Sequence, residues 1–223
     1  MPREARAKVA LVEDHPMFRE QLAHLINKQP DMSVCAEVDN TTDGLAAIML
    51  QHPALAIVDI TLKGSSGLEL LKDLRAQGSK VPVLILSMHA ESLYAERALR
   101  AGANGYITKE EASAKVMTAI RQVLAGEVYL DPRFMKRVVS RILVNPRNNS
   151  ATALERLTDR ELAVFELIGE GRTTREIGVR LRVSAATVET YRARIKEKLG
   201  LENAGQLHAR ASSWVHERHA IAG

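Results

Sequence analysis

Five side chains suited to phosphoryl chemistry fall at the ends of short apolar runs. Glu13 and Asp14 follow residues 9–12, Asp59 follows 55–58, Ser87 follows 81–86, and Lys109 comes soon after 105–107. If these runs are parallel strands of an open sheet, their carboxyl ends meet at one edge, where sites form. Three carboxylates, a hydroxyl and an ammonium then converge. Carboxylates gathered with too little counter-charge call for a hard divalent cation. Mg²⁺ suits such a set: one or two carboxylates, a carbonyl, waters and a phosphoryl oxygen. Asp59 would be a nucleophile that forms an aspartyl phosphate. The metal and Lys109 would neutralise charge on the transferring group, and Ser87 would hydrogen-bond it. Taken singly, each residue has a plainer role: Asp14 as a helix cap, Ser87 in a turn, Lys109 in solvent. The specificity lies in their joint placement. A phosphohydrolase built on Asp59 would need a second acid two residues on as acid/base, and Thr61 stands there.

A second constellation lies in the last third of the chain. Thr158-Asp-Arg-Glu161 and Thr173-Thr-Arg-Glu176 are capping boxes, with Gly169 and Gly171 read as the stop between two helices. Ser184 caps a further helix that runs to about Leu199 and ends at Gly200. Helix 173–181, turn Arg182-Val-Ser184 and helix 185–199 have helix-turn-helix proportions. On the second helix Val188, Tyr191, Ile195 and Leu199 form an inward stripe. At ~100° per residue, Thr190, Ala193 and Glu197 point away from it, with Glu189, Arg194 and Lys196 on the flanks. Such a face suits the DNA major groove, cations meeting phosphates and central residues meeting base edges. Thr190 would touch a thymine methyl. Glu189 would accept from cytosine N4 while repelling phosphate. Phosphate contacts fall to Thr187, Arg192, Arg194, Lys196 and Lys198, although Arg192 also lies near the inward stripe. Between Arg172 and Lys198 eight Lys and Arg face three acids, as an anionic polymer partner would require. A small helical bundle that binds protein would carry the same pattern.

These residues need a frame. Apolar runs at 9–12, 32–38, 55–58, 81–86 and 105–107 alternate with helix-period stretches, such as Phe18, Leu22, Leu25, Ile26 and Val116, Ile120, Val123, Leu124. Ser66-Gly-Leu-Glu69 opens another helix with a capping box, reaching about Ala76. Five βα units predict an α/β fold with a doubly wound, five-stranded parallel sheet, followed by a small all-α unit. The expected domains are 1–130 and 154–223. A linker at 131–153 joins them, helical over 132–144 and a polar, flexible tether over 145–152. No apolar run approaches the ~18 residues of a membrane span. The run at 9–12 is too short for a secretory signal, so the reading is a cytoplasmic protein with no membrane partner. Cys35 stands alone, which excludes an intramolecular disulfide or a cysteine metal cluster, and its apolar surroundings mark it as a small buried hydrophobe. The seven histidines show no metal-ligand spacing.

Glu13-Asp14, Ala54-Leu-Ala-Ile-Val-Asp59-Ile, Val83-Leu-Ile-Leu-Ser87 and Gly105-Tyr-Ile-Thr-Lys109 resemble a response-regulator receiver of flavodoxin-like fold, over roughly residues 8–126. Leu157-Thr-Asp-Arg-Glu-Leu-Ala-Val, Gly171-Arg-Thr-Thr-Arg-Glu-Ile, Val183-Ser-Ala-Ala-Thr-Val-Glu-Thr-Tyr-Arg and Ile195-Lys-Glu-Lys-Leu-Gly-Leu resemble the LuxR-type DNA-binding domain, over about 154–214. Together they look like a NarL/FixJ-type response regulator. That resemblance implies that a sensor histidine kinase phosphorylates Asp59. It places Mg²⁺ on Glu13, Asp14, Asp59 and the backbone carbonyl of Thr61, and makes Lys109 the family's lysine. Ser87 becomes the switch hydroxyl and Tyr106 the aromatic that turns inward, remodelling the face formed by about 91–126. The chain would be no enzyme beyond self-phosphotransfer and slow self-dephosphorylation. Phosphorylation would release the DNA-binding helix from the receiver, drive dimerisation, or both; the dimer would pair through the last helix, about 204–216, and bind paired DNA half-sites. Glu13 replaces the commoner Asp, Lys63 and Glu110 stand where Pro is frequent, and Glu189 stands where many relatives are basic. A regulator that uses its receiver only as an interaction domain, without phosphorylation, is the alternative.

Overall fold

The computed structural model describes residues 6–63, 65–88, 92–131 and 153–222. The expected helix at 132–144 and tether at 145–152 lie outside the described residues. The chain divides into two compact units, one within Met1–Pro146 and one within Arg147–Gly223.

The first unit alternates strands and helices: β1 (Ala7–Val12), α1 (Pro16–Asn27), β2 (Met32–Val38), α2 (Thr41–Gln51) and β3 (Leu55–Asp59). A two-residue hairpin follows, β4 (Thr61–Leu62) and β5 (Ser65–Ser66). Then come α3 (Gly67–Ala76), β6 (Val83–Ser87), α4 (Ser92–Arg100), β7 (Gly105–Thr108) and α5 (Lys109–Leu124). The main sheet has the order β2-β1-β3-β6-β7, and every pairing in it is parallel. From β1 the chain first goes outward to β2, then returns past β1 to β3. The strand order therefore reverses between β1 and β3, and a crevice opens at their carboxyl ends.

The apolar runs are continuous because the inner strands are covered on both faces. Val9, Leu11, Leu55, Ile57, Leu84, Leu86 and Ile107 pack on Leu22 and Ile26 of α1 and on Val116, Ile120 and Val123 of α5. On the other face Gly44 of α2 meets Val12, and Gly67 of α3 meets Val58. Each fully buried Leu, Ile or Val contributes roughly 1.5–3 kcal/mol, so this double cover stabilises the sheet. Local caps fix where helices begin. Asn40 accepts from Asp43 N–H, Thr108 from Glu111 N–H, and Ser66 and Glu69 form the predicted capping box. The hairpin of β4 and β5 was outside the sequence reading, because two-residue strands have no periodicity. Cys35 is half-buried rather than buried: β2 is an edge strand, and an apolar run does not reveal its rank in the sheet.

The second unit is a 3₁₀ turn (Ala153–Arg156), then α6 (Asp159–Gly169), α7 (Thr174–Leu181), α8 (Ala185–Leu199) and α9 (Ala204–Ala222). Thr158 with Glu161 and Thr173 with Glu176 cap α6 and α7 as their spacing predicts. Gly169 does not stop α6; the helix runs through it, Glu170 caps it, and Gly171 makes the exit at φ +79°. Gly169 is instead a point of close approach, where a Cβ would lie 2.5 Å from the Ala211 carbonyl oxygen of α9. The last helix extends to Ala222, beyond the expected 216. Among the described residues no helix is long and apolar enough to cross a membrane.

Gly67 sets how near α3 comes to the end of β3. A Cβ there would lie 2.0 Å from the Asp59 carbonyl oxygen and 2.7 Å from Val58 Cγ1. Gly67→Ala should therefore destabilise the first unit by about 2–3 kcal/mol. Urea unfolding followed by far-ultraviolet circular dichroism would show it, and an unmoved midpoint would mean that α3 can shift aside.

Candidate functional site

The carboxyl edge of the sheet gathers the predicted pocket. Val12 lies beside Val58, Asp59 beside Leu86, and Ser87 beside Thr108. Residues that end or follow the inner strands therefore share one rim. Glu13, Asp14, Asp59, Ser87 and Lys109 are all buried. Lys109, the first residue of α5, reaches back across this rim. Its Nζ lies 2.8 Å from Asp59 Oδ2 and 2.7 Å from Glu13 Oε2. Its charge also sits over the Phe18 ring, 5.0 Å from the centroid. Thr61 N–H donates to Asp59 Oδ1 at 3.2 Å. Ser87 is fully buried at the end of β6, and the Tyr106 ring is buried within the fold.

One ammonium cannot balance three buried acids. Burial pushes the Asp59 carboxyl up to about 7, Lys109 opposes the rise, and the charge of Glu13 adds to it.

His15 was missed in the sequence, where no second histidine stands at ligand spacing. Its Nδ1 lies 3.0 Å from Glu13 Oε1 and 2.9 Å from Asp14 Oδ1. One ligand atom from each of Glu13, Asp14, His15 and Asp59 falls within 4.8 Å of the others. The available signal was its place directly after the acidic pair. Arg19 also escaped notice; its guanidinium donates to the Glu13 carbonyl and pins the turn after β1.

The second predicted site is the pair α7 and α8. Arg182 makes the turn in the left-handed region at φ 54°, and Val183 N–H bonds to the Gly178 carbonyl. Ser184 caps α8 by accepting from Thr187 N–H at 3.1 Å. Val188 and Ile195 are buried, with Tyr191 and Leu199 half-buried beside them. Ala186, Glu189, Thr190, Ala193, Arg194 and Glu197 are exposed. The inward stripe and outward face thus fall as the helical period requires.

The structure divides the cations and polar groups of α8. Lys198 Nζ pairs with Glu161 Oε2 at 2.6 Å, across to the start of α6. Arg192 Nη1 donates to Thr174 Oγ1 at 3.3 Å. Glu189 Oε1 accepts from the same Thr174 hydroxyl at 2.7 Å. Thr187 shares a hydroxyl contact with Ser184 at 2.8 Å, and Thr190 Oγ1 donates to the Ala186 carbonyl. Arg194 is exposed and Lys196 half-exposed on the open side. Lys198 and Arg192, expected on phosphate, are thus engaged within the unit, because Glu161 and Thr174 fold back beside them.

Residues 9–121 match the response regulator receiver domain, and residues 155–211 match bacterial regulatory proteins of the luxR family. Over 200 residues the chain is 34% identical to transcriptional activator protein ExaE of Pseudomonas putida, covering 89% of this chain and 92% of that protein. Over 195 residues it is 33% identical to transcriptional regulatory protein DesR of Bacillus subtilis, covering 87% and 91%. The crystal structure of a LuxR-family two-component response regulator from Aurantimonas sp. SI85-9A1 superposes with a TM-score of 0.58 at 31% identity. It covers 62% of this chain and 99% of that one. A five-stranded parallel receiver followed by a helix-turn-helix is the build of a two-component transcription regulator. The chain belongs to the LuxR family of response regulators.

Two measurements follow from this geometry. A raised Asp59 pKa means that the folded first unit holds the proton more tightly than the unfolded chain. Without divalent ions the Asp59 contribution to its stability should be fullest below about pH 4 and be lost as pH rises through about 7. Asp59→Asn should flatten that decline in denaturant titrations across pH. In the second unit, burial raises Glu161, but Lys198 and the Thr158 N–H outweigh it and hold the carboxyl below its usual range. Lys198→Met leaves that carboxylate without its cation and should lower stability by about 1–2 kcal/mol. Trp214 fluorescence reports it, since that ring lies 5.7 Å from Phe165 of α6.

Proposed function

We propose that Asp59 is the phosphoacceptor through which a sensor histidine kinase controls DNA binding by the second unit. The observation that carries this reading is Lys109 Nζ, held 2.8 Å from Asp59 Oδ2 at the switch point of the sheet. In the transfer, an Asp59 oxygen attacks phosphorus, an O–P bond forms, and the N–P bond to the donor imidazole breaks. Lys109 stabilises charge on the equatorial oxygens. Ser87, at the end of the neighbouring strand, donates a hydrogen bond to the phosphoryl group.

The donor set fits Mg²⁺. Its atoms are mainly carboxylate oxygens, they lie close together, and their buried negative charge exceeds the one ammonium present. Glu13, Asp14, Asp59 and the Thr61 carbonyl would hold the ion, which when bound supplies positive charge against the phosphoryl oxygens. Nothing in the set offers the second acid of a phosphohydrolase, since Thr61 occupies that position. Turnover is therefore limited to self-phosphotransfer and slow self-dephosphorylation.

Phosphorylation acts by its greater affinity for one of two states. Ser87 and the buried Tyr106 form the switch, and α4, β7 and α5 form the face that it remodels. The phosphorylated protein pairs through α9 and places two copies of α8 on paired half-sites in cytoplasmic DNA. On α8, Thr190 faces base edges, while Arg194, Lys196 and the start of the helix around Thr187 meet phosphates.

Mass and DNA binding, with and without acetyl phosphate and Mg²⁺, test the proposal. The expected result is a phosphoryl adduct on Asp59, a shift to dimer, and at least about tenfold tighter, salt-sensitive DNA binding. All three should be absent in Asp59→Asn. Labelling without a change in assembly or affinity would break the coupling. Failure to label with a competent donor would favour an interaction role for the receiver.

A further inference from the structure

The joint between α7 and α8 carries an acid where a DNA-facing surface usually gains from a base. Glu189 lies in the second turn of α8, with its side chain 60% exposed. It is nevertheless engaged by its own domain. Thr174 Oγ1 donates to Glu189 Oε1 at 2.7 Å, and Arg192 Nε lies 3.8 Å from that oxygen. Arg192 Nη1 reaches the Thr174 hydroxyl at 3.3 Å, which closes a triangle of three side chains on two helices. Arg192 is the more buried member, its side chain 19% exposed. The triangle sits at the first residue of α7, a helix start already capped by Thr173 and the Glu176 carboxylate, so Glu189 adds a second negative charge there.

Two consequences follow from charge alone. The cation of Arg192 is partly balanced by Glu189, 3.8 Å away, which weakens its pull on a phosphate. A phosphate approaching the start of α7 meets a carboxylate. Thr174 and Arg192 both engage Oε1, so a hydrogen bond from cytosine N4 would have to fall on Oε2, in the orientation that the triangle fixes.

We infer that Glu189 is a specificity determinant that works by restraint: it holds Arg192 and Thr174 at the helix joint and weakens binding to DNA of every sequence. Discrimination then rests on residues of the open face, Thr190 among them, because non-specific phosphate attraction is reduced relative to base contacts. This inference rests on the reading of α8 as the helix that enters the major groove.

Glu189→Gln tests it in the full-length protein. The amide keeps an acceptor for Thr174 and removes the charge, so the fold is not at issue. The probes are a random-sequence duplex and a duplex selected from a randomised library by the wild-type protein. Affinity for the random duplex should rise about threefold to tenfold. The slope of log affinity against log salt should steepen by about one as Arg192 joins the phosphate contacts. A library selection with the variant should return the same base at every position. A changed or relaxed preference at one base pair, with random-duplex affinity and salt slope unmoved, would overturn the inference and make Glu189 a base reader. No change in any of the three would overturn it too. Arg194→Ala and Thr190→Val separate the underlying assumption. If neither affects the selected duplex, it is the placement of α8 in the groove that fails.

Discussion

Lys109 brings its ammonium into a space from which water is almost excluded, and two carboxylates meet it there. Charges in such a setting interact far more strongly than they would at a surface, and each is costly to leave unpaired. The rest of the first unit answers to that requirement. Glu13 is held by the turn after β1, where Arg19 binds its carbonyl, and Asp59 is held by the end of β3. Lys109 is fixed because Thr108 caps α5 and because Ala112, Val116 and Ile120 of that helix are sealed into the core. A change of charge at Asp59 is consequently a change in what α5 is tied to. On the proposed reading, the same buried ion pair would serve both chemistry and communication.

The second unit uses the same physics for another end. Glu161 caps α6 and pairs with Lys198 near the end of α8, so one carboxylate fixes a helix start and a helix crossing together. Val188 and Ile195 set the rotation of α8, and the outward face follows from them. Its excess of basic residues overstates the cations open to a partner, since Lys198 pairs with Glu161 and Arg192 leans on Thr174 and Glu189 within the domain. The open face carries Arg194, Lys196, Thr190, the acids Glu189 and Glu197 and small residues, a surface better suited to close approach than to broad attraction.

Much of this was legible in the sequence because it depends on neighbours a few residues apart. Capping boxes at Ser66, Thr158 and Thr173 need only the residue three positions on, and each forms as its spacing predicts. The inner strands are apolar throughout because both their faces are covered, and that pattern survives in one dimension. Acids, hydroxyl and lysine at successive strand ends could be assigned to one edge because parallel strands share a direction. Gly169 misled the reading because a glycine that ends a helix and one that admits a neighbouring helix look alike until the neighbour is known.

The sequence by itself therefore determined the order of elements, the parallel sheet, the helix-turn-helix and the residues placed along the pocket rim. These follow from periodicity, capping and chain direction, which are local. Tertiary structure alone decided the partners: His15 against Glu13 and Asp14, Lys198 against Glu161, and Thr174 between Glu189 and Arg192. The last two pairings join residues on different helices, whose angle and rotation come from core packing. Whether a given charge is free for a ligand or already neutralised at home is settled by that packing.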